Sequence, residues 1–399
     1  MRLAYVTTYD VLDISSWMKT EHQAGNRGTA YHLAKNLENQ SIGIDYINSV
    51  DRVSASKKKI PLSIRIKYKF YSKFSEKMYA GWADPLLVRE QASQISRRLS
   101  TLNSDVVLSP ESISILAFAY LKCKQPLVAW VDTSLAGLIN FYPSFSNFCN
   151  ETKKNIYAVE KAALEQCQLI IFPSDWAAQV VIKTYGIEHS KIKVITGGSN
   201  LEYDRTDEDI NNIVESKTQT PCRLLFIGVD WFRKGGDIAF EVAKQLNELG
   251  LITELVVLGC QPIATEPLPD FVKTIKFINK YTNEGLNQMN KLFGESHFFI
   301  MPSRAETYGR VLGEANSFGL PCLTTNVGGI PSIIRDDLNG KTFPLNASIS
   351  EYCNYIISRM TNYQEYKRLA HSSFNEYQSR LNWTVAVQTG KQLFRDLVY

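Results

Sequence analysis

The chain has 399 residues, 44% of them hydrophobic and 21% charged, and a net charge of +4. That length suits two or three domains with full cores, and the charge is too mild to indicate nucleic-acid binding on its own. No apolar run approaches the roughly 20 residues that span a bilayer, and Met1-Arg2 leads straight into the strand-like LAYVTT with no signal-peptide pattern. The seven cysteines (123, 149, 167, 222, 260, 322 and 353) form neither a CxxC pair nor a zinc spacing, so reduced thiols in a cytoplasmic protein are expected.

In chain order, Arg2 to Thr8 reads as a buried first strand. Gly25 to Leu37 reads as a loop entering a helix whose apolar face is Ala30, Leu33, Ala34 and Leu37. A glycine-rich entry to a helix lets backbone approach a phosphate, which makes Gly25 and Gly28 candidates, although a plain turn has the same composition. Gly43 to Asn48 is a second strand. Lys57 to Lys77 then carries eight Lys/Arg and one Glu, interleaved with Ile60, Leu62, Ile64, Ile66, Tyr68, Phe70, Tyr71 and Phe74. Such a basic amphipathic segment suits an anionic membrane surface, or else a helix that packs its apolar side on the core with its lysines in water. Pro61 and the alternation in SIRIKYKF blur the helix assignment. Asp84 to Leu102 reads as a helix, Asp105 to Ser109 as a strand, Ser112 to Leu121 as a helix and Pro126 to Val131 as a strand. Asp132 follows that strand, where ligands of parallel sheets bind; it equally suits a cap for the next segment. A helix at Lys153 to Cys167, a strand at Gln168 to Phe172, a helix from Trp176 and a strand at Lys191 to Ile195 complete this half.

Leu201 to Pro221 is polar and acidic and reads as a linker with a short helix. Cys222 to Gly228 restarts a strand-loop-helix unit, and its loop holds Arg233-Lys234-Gly235-Gly236. Two cations before paired glycines at a helix start suit a diphosphate, since Arg binds phosphate bidentately and Lys acts as a point charge. Ile252 to Leu258 and Val272 to Ile278 are strands, with Asn279-Lys280-Tyr281 after the second. Then comes HFFIMPSRAETYGRVLGEANSFGLPCLTTNVGGIPSIIRDDLNG, residues 297 to 340. It reads as a buried strand to Met301, a polar loop, a helix opening near Gly309 and running to about Phe318, and a short strand at Leu320 to Thr325. Glu306 and Glu314, with seven residues between them, can reach one crevice along about 10 Å of helix. Between them the amides of Thr307, Tyr308, Gly309 and Arg310 read as an anion-binding helix start. The chain after Gly340 reads as mostly helical, to Tyr399.

The string PSR-x-E-x-x-G, an EA pair, SFGLP, a GG turn and a closing NG is similar to the donor-site signature of retaining glycosyltransferases of family 4. The resemblance is specific from Cys222 to Gly340 and looser over Arg2 to Asn200. It implies an α/β protein of two Rossmann-like domains facing each other across a cleft, the glycosyltransferase B fold. The implied domains are residues 1–203, binding the acceptor, and 204–381, binding the donor, with a C-terminal helix at 382–399 packing back on the first. It implies transfer of a hexose from a UDP- or GDP-sugar to a hydroxyl of a glycan or lipid-linked acceptor, with retained configuration, no metal and no other cofactor, in bacterial cell-surface polysaccharide synthesis. It places Glu306 against the donor sugar and Glu314 on the ribose. It puts Gly25 and Gly28 facing the diphosphate, Asp132 near the reacting sugar, Asn279 near the base, and Arg233 and Lys234 on the leaving diphosphate. Two departures stand out: many members carry Arg where this chain has Val229, and Asn where it has Gly197. The cysteine usage gives a cytoplasmic expectation, and the membrane reading of the basic segment 57–77 adds peripheral contact at the inner face of the plasma membrane. A nucleotide-sugar epimerase or hydrolase of the same fold, and a non-catalytic nucleotide-sugar-binding scaffold subunit, are the alternatives.

Overall fold

The structure is a computed structural model that describes residues 1–17, 21–48, 60–201, 205–263 and 267–399. The chain forms two compact units: Met1–Asp13, Asn26–Ile195 and Val387–Tyr399 make the first, and Ile14–Gly25 with Thr196–Ala386 the second.

Unit 1 holds six parallel strands: β1 (Arg2–Thr7), β2 (Gly43–Asn48), β3 (Val106–Ser109), β4 (Leu127–Trp130), β5 (Leu169–Phe172) and β6 (Ile192–Val194). Their order is β2-β1-β3-β4-β5-β6. The central strands are buried along their whole length, which is why they read as continuous apolar runs. The helices that cover them are α1 (Glu21–Asn39), α2 (Leu62–Phe74), α3 (Pro85–Leu99), α4 (Asn150–Gln166) and α5 (Asp175–Tyr185). Local chemistry sets their ends. Ser174 caps α5 by accepting from the Ala177 amide at 3.2 Å, and Gly186, at φ +70°, stops it.

Unit 2 repeats the plan with β7 (Cys222–Ile227), β8 (Thr253–Leu258), β9 (Val272–Ile275), β10 (Phe298–Met301), β11 (Cys322–Thr325) and β12 (Gly340–Phe343). The order is β12-β11-β10-β7-β8-β9, again all parallel. Its helices are α6 (Asp207–Ser216), α7 (Gly236–Glu248), α8 (Asn283–Glu295), α9 (Arg310–Asn316), α10 (Ile349–Thr361) and α11 (Tyr363–Arg380). The last helix, α12 (Trp383–Val398), begins in unit 2 and ends in unit 1, where Phe394 meets the Trp130 ring edge-on at 6.1 Å. Both sheets are doubly wound, so the α/β, Rossmann-like reading holds for each unit.

Some expectations change. Gly25 and Gly28 lie within α1, not in a loop before it, because the helix begins at Glu21. Ala30, Leu33, Ala34 and Leu37 do form its buried face. Ser112 to Leu121 is a 3-10 segment, Ser114–Tyr120. SIRIKYKF is helix, since Leu62–Phe74 is continuous, while Lys57, Lys58 and Lys59 lie outside the described residues. The helix after Gly309 is only seven residues long, Arg310–Asn316. The chain beyond Gly340 is mostly helical as expected, and Gly340–Phe343 adds an edge strand to β11 before the helices begin.

At the amino end of β10, His297 is 1% exposed. Its Nδ1 accepts from the Arg223 amide at 3.0 Å, which leaves Nε2–H to donate to the Thr218 carbonyl at 2.9 Å. Burial, with Lys217 adding like charge, pushes its pKa down to about 3 from 6.5. A lowered folded pKa means that the unfolded chain binds the proton first. The stabilisation is therefore complete above pH 6.5 and is lost as pH falls toward 3, by about 1.4 kcal/mol per unit at most. Denaturant midpoints should accordingly fall between pH 7 and 4.5 more steeply in the wild type than in His297→Gln; parallel curves would contradict this.

Candidate functional site

In unit 2 the chain runs β7-β8-β9 outward and then returns to place β10 on the other side of β7. The carboxyl ends of β7 and β10 are thus the point where the winding reverses, and open α/β sheets bind ligands at such points. The loop after β7 carries Arg233 and Lys234, and the loop after β10 carries Glu306.

The three side chains meet. The Lys234 ammonium donates to the Glu306 carboxylate across 72 positions of sequence, and Arg233 Nη1 lies 3.8 Å from the same oxygen. Glu306 is 5% exposed, so its charge has left bulk water and rests on these cations. Burial pushes the Lys234 ammonium below the ordinary lysine range, while Glu306 acts to raise it. Arg233 is further oriented by Asp230, which accepts its amide at 3.0 Å, and by the Ala305 carbonyl, which accepts from Nη1 at 3.0 Å.

Both loops are held by their neighbours. The Arg304 amide donates to the Arg233 carbonyl at 2.7 Å, and the Arg304 guanidinium grips Asp237 with two bonds of 2.7 Å. Thr324 and Thr325 of β11 donate to the carbonyls of Met301 and Ser303, and the Gly329 amide donates to the Glu306 carbonyl at 3.1 Å. Gly235 stands at φ +76°, where a Cβ would lie 2.1 Å from the Pro302 carbonyl oxygen. Gly235 thus lets the β7 loop lie directly on the β10 loop, while Gly236 makes room for the Trp231 ring.

Glu314 is 5% exposed and pairs with Lys280 at 2.6 Å. Lys280 sits in the loop after β9, beside Asn279, whose own side-chain oxygen accepts from the Tyr281 amide at 3.0 Å and so shapes that loop. Tyr308 and Arg310 turn toward the 197–198 stretch. The Tyr308 hydroxyl donates to the Gly197 carbonyl at 3.0 Å, and Arg310 Nη1 donates to the Gly198 carbonyl at 3.2 Å while the guanidinium carbon lies 4.9 Å over the Trp383 ring. A Cβ on Gly197 would sit 2.5 Å from Arg310 Nη1, so a larger residue there would displace the end of that side chain. Thr307 is 9% exposed, and Gly309, at φ +93°, starts α9.

Asp132 is half-buried just past β4, at the sheet's carboxyl side. It is not the cap of the next turn: Ser134 takes that role, accepting from the Gly137 amide at 3.1 Å. Beneath, the buried Glu160 accepts from the Leu135 amide at 2.5 Å and the Ala136 amide at 3.0 Å. Unit 1 has its own reversal point between β1 and β3, and Glu111 stands there, accepting from the Thr8 amide at 2.7 Å. Sequence reasoning missed Glu111, and it named Lys280 only within the loop near the base and not as the partner of Glu314. Strand order would have exposed the first, but the second is 34 residues from its partner with no local pattern to mark it.

Two family models match the chain: group 1 glycosyl transferases over residues 207–375 and glycosyltransferase family 4 over residues 29–203. An uncharacterized 41.2 kDa protein from the cps region of Klebsiella pneumoniae is 23% identical over 262 residues, 62% of this chain and 71% of that protein. A UDP-Gal:alpha-D-GlcNAc-diphosphoundecaprenol alpha-1,3-galactosyltransferase of Escherichia coli is 23% identical over 226 residues, 55% of this chain and 58% of that enzyme. Among solved structures, sucrose-phosphate synthase from Thermosynechococcus elongatus superposes with a TM-score of 0.68 at 16% identity, covering 100% of this chain and 99% of that one. At that identity the likeness is one of fold.

The Gly235 geometry sets a measurable contrast. Gly235→Ala should destabilise by about 2 kcal/mol or more, since it adds a backbone clash to left-handed strain. Gly250, at φ +89°, has nothing within 4 Å of its Cβ position, so Gly250→Ala should cost only the strain, about 1 kcal/mol. Equal shifts in the denaturant midpoint would show that Gly235 is not pressed against the β10 loop.

Proposed function

Because this chain belongs to the group 1/family 4 glycosyltransferases, we propose that it moves a hexose from a UDP- or GDP-sugar to a hydroxyl of a glycan or lipid-linked acceptor, with retention of anomeric configuration. The observation that carries this reading is the meeting of Arg233, Lys234 and Glu306 at the reversal point of the unit 2 sheet. A sugar nucleotide is a diphosphate flanked by hydroxyl-rich rings. Two cations suit the first and buried carboxylates the second.

In the proposed step the bond between the anomeric carbon and the diphosphate oxygen breaks, and that oxygen keeps the electron pair. Arg233 and Lys234 offset the charge that develops there, without a metal ion. The acceptor oxygen attacks from the face the diphosphate leaves, and its proton passes to the departing phosphate. Glu306 grips the donor sugar and Glu314 the ribose. Asp132 is the candidate of unit 1 for holding the acceptor hydroxyl or a sugar hydroxyl. Asn279, Gly25, Gly28 and the Thr307–Arg310 backbone are the remaining donor contacts of this reading. Tyr308 and Arg310 contribute mainly by fixing the loop, since their side chains are engaged at Gly197 and Gly198. The galactosyltransferase relative acts on a diphosphoundecaprenol-linked sugar, which supports a lipid-linked acceptor in polysaccharide synthesis and a location at the inner membrane face.

Glu306→Gln should still bind donor but lose about 100-fold in kcat. Product formation from a nucleotide sugar and an acceptor glycan should survive EDTA. Unchanged kcat would remove Glu306 from the mechanism, and strict dependence on Mg²⁺ would replace the cation pair with a metal. Donor consumption without acceptor would favour an epimerase or hydrolase, and donor binding with no turnover a scaffold.

A further inference from the structure

Helix α2 (Leu62–Phe74) has two faces with opposite fates. One is locked to unit 1. Ile64 is fully buried, and the Lys67 ammonium sits between Asp84 at 3.0 Å and Glu151 at 2.5 Å. The Tyr68 hydroxyl accepts from the Gly81 amide at 3.1 Å, and the Tyr71 ring stacks on Tyr79 at 5.6 Å. Positions 64, 67, 68 and 71 are one helical stripe, so this side is spent on the fold.

The other face is bare. Leu62, Ile66, Phe70 and Phe74 recur every four residues and are 69%, 57%, 54% and 70% exposed. Arg65, Lys69 and Lys73 are exposed beside them, and among the described residues none of the three forms an ion pair. Large apolar side chains are thus set out in water next to uncompensated cations on a helix that cannot turn them inward. Among the described residues no helix is long and apolar enough to cross a membrane. We propose that this face of α2 lies on an anionic lipid surface, with Leu62, Ile66, Phe70 and Phe74 entering the headgroup and acyl boundary and Arg65, Lys69 and Lys73 meeting lipid phosphates. Charge selects this occupant over a second copy of the chain: a two-fold contact through the face would set its own cations against each other.

The inference is independent of the transfer reaction and is tested without substrate. The full chain is sedimented with vesicles of phosphatidylglycerol and phosphatidylcholine in equal parts, and with vesicles of phosphatidylcholine alone. Partition to the anionic vesicles only is expected. It should weaken about a hundredfold in a variant carrying Arg65→Gln, Lys69→Gln and Lys73→Gln, and at least tenfold in Ile66→Ser/Phe70→Ser. These positions are exposed, so unchanged melting curves serve as the folding control. A control carrying Lys124→Gln, Lys183→Gln and Lys276→Gln loses the same charge from exposed positions elsewhere and should keep its binding. No partition to anionic vesicles would overturn the proposal. So would equal loss in the control, which would mean bulk charge alone, and so would a dimer in solution abolished by Ile66→Ser/Phe70→Ser.

Discussion

A carboxylate as buried as Glu306 stays ionised only beside a cation, and its nearest one, Lys234, is itself out of water. Neither charge is tolerable alone: removing one member of such a pair costs about 3–5 kcal/mol, since the other remains buried and unmatched. The pair therefore constrains everything near it. The β7 and β10 loops must sit in one register, and the contacts of Arg304, Asp237, Thr324, Thr325 and Gly329 hold them there. Gly235 lets the backbones touch. Charge is placed before any ligand arrives, which is the condition for electrostatic catalysis without reorganisation.

The design occurs twice. Glu314 is held by Lys280 much as Glu306 is held by Lys234. In both, a carboxylate of the β10 segment is matched by a lysine from another loop. On the proposed function, a sugar nucleotide exchanges these contacts for its own: its diphosphate takes the cations and its hydroxyls take the carboxylates. The two lysines then serve as internal stand-ins for the donor, keeping the site ordered while it waits.

The legible parts of this protein were those whose chemistry is local. The β7 and β10 loops, Arg233, Lys234, Glu306 and both paired-glycine turns stand within short runs that declare a strand end, a turn and a helix. The doubly wound fold followed from alternating strands and helices. What escaped depends on distant pairing. Lys280 finds Glu314 and Glu111 finds Thr8 only after the sheets assemble. The edge strand β12 is short and only partly buried, so its composition resembles a turn. In α2 the alternation of SIRIKYKF blurred the helix pattern, yet Lys67, Tyr68 and Tyr71 reach Asp84, Gly81 and Tyr79 along a helical stripe. Asp132 suited a cap and a ligand contact equally, and Ser134 fills the cap's place. Gly25 and Gly28 looked like a loop because glycine is poor in helices, and the surrounding helix overrides that preference.

The central claim is that Lys234 is the cation a nucleotide diphosphate takes over. It is tested most directly by melting Glu306→Gln and Glu306→Gln/Lys234→Met proteins against UDP, GDP, ADP and their sugar conjugates. The shared glutamine leaves no buried carboxylate unmatched in either protein. One nucleotide family at 100 times its dissociation constant should stabilise Glu306→Gln by about 2.7 kcal/mol, and the shift should vanish at the same concentration in the double variant. An undiminished shift in the double variant, or none in either protein, would contradict the account.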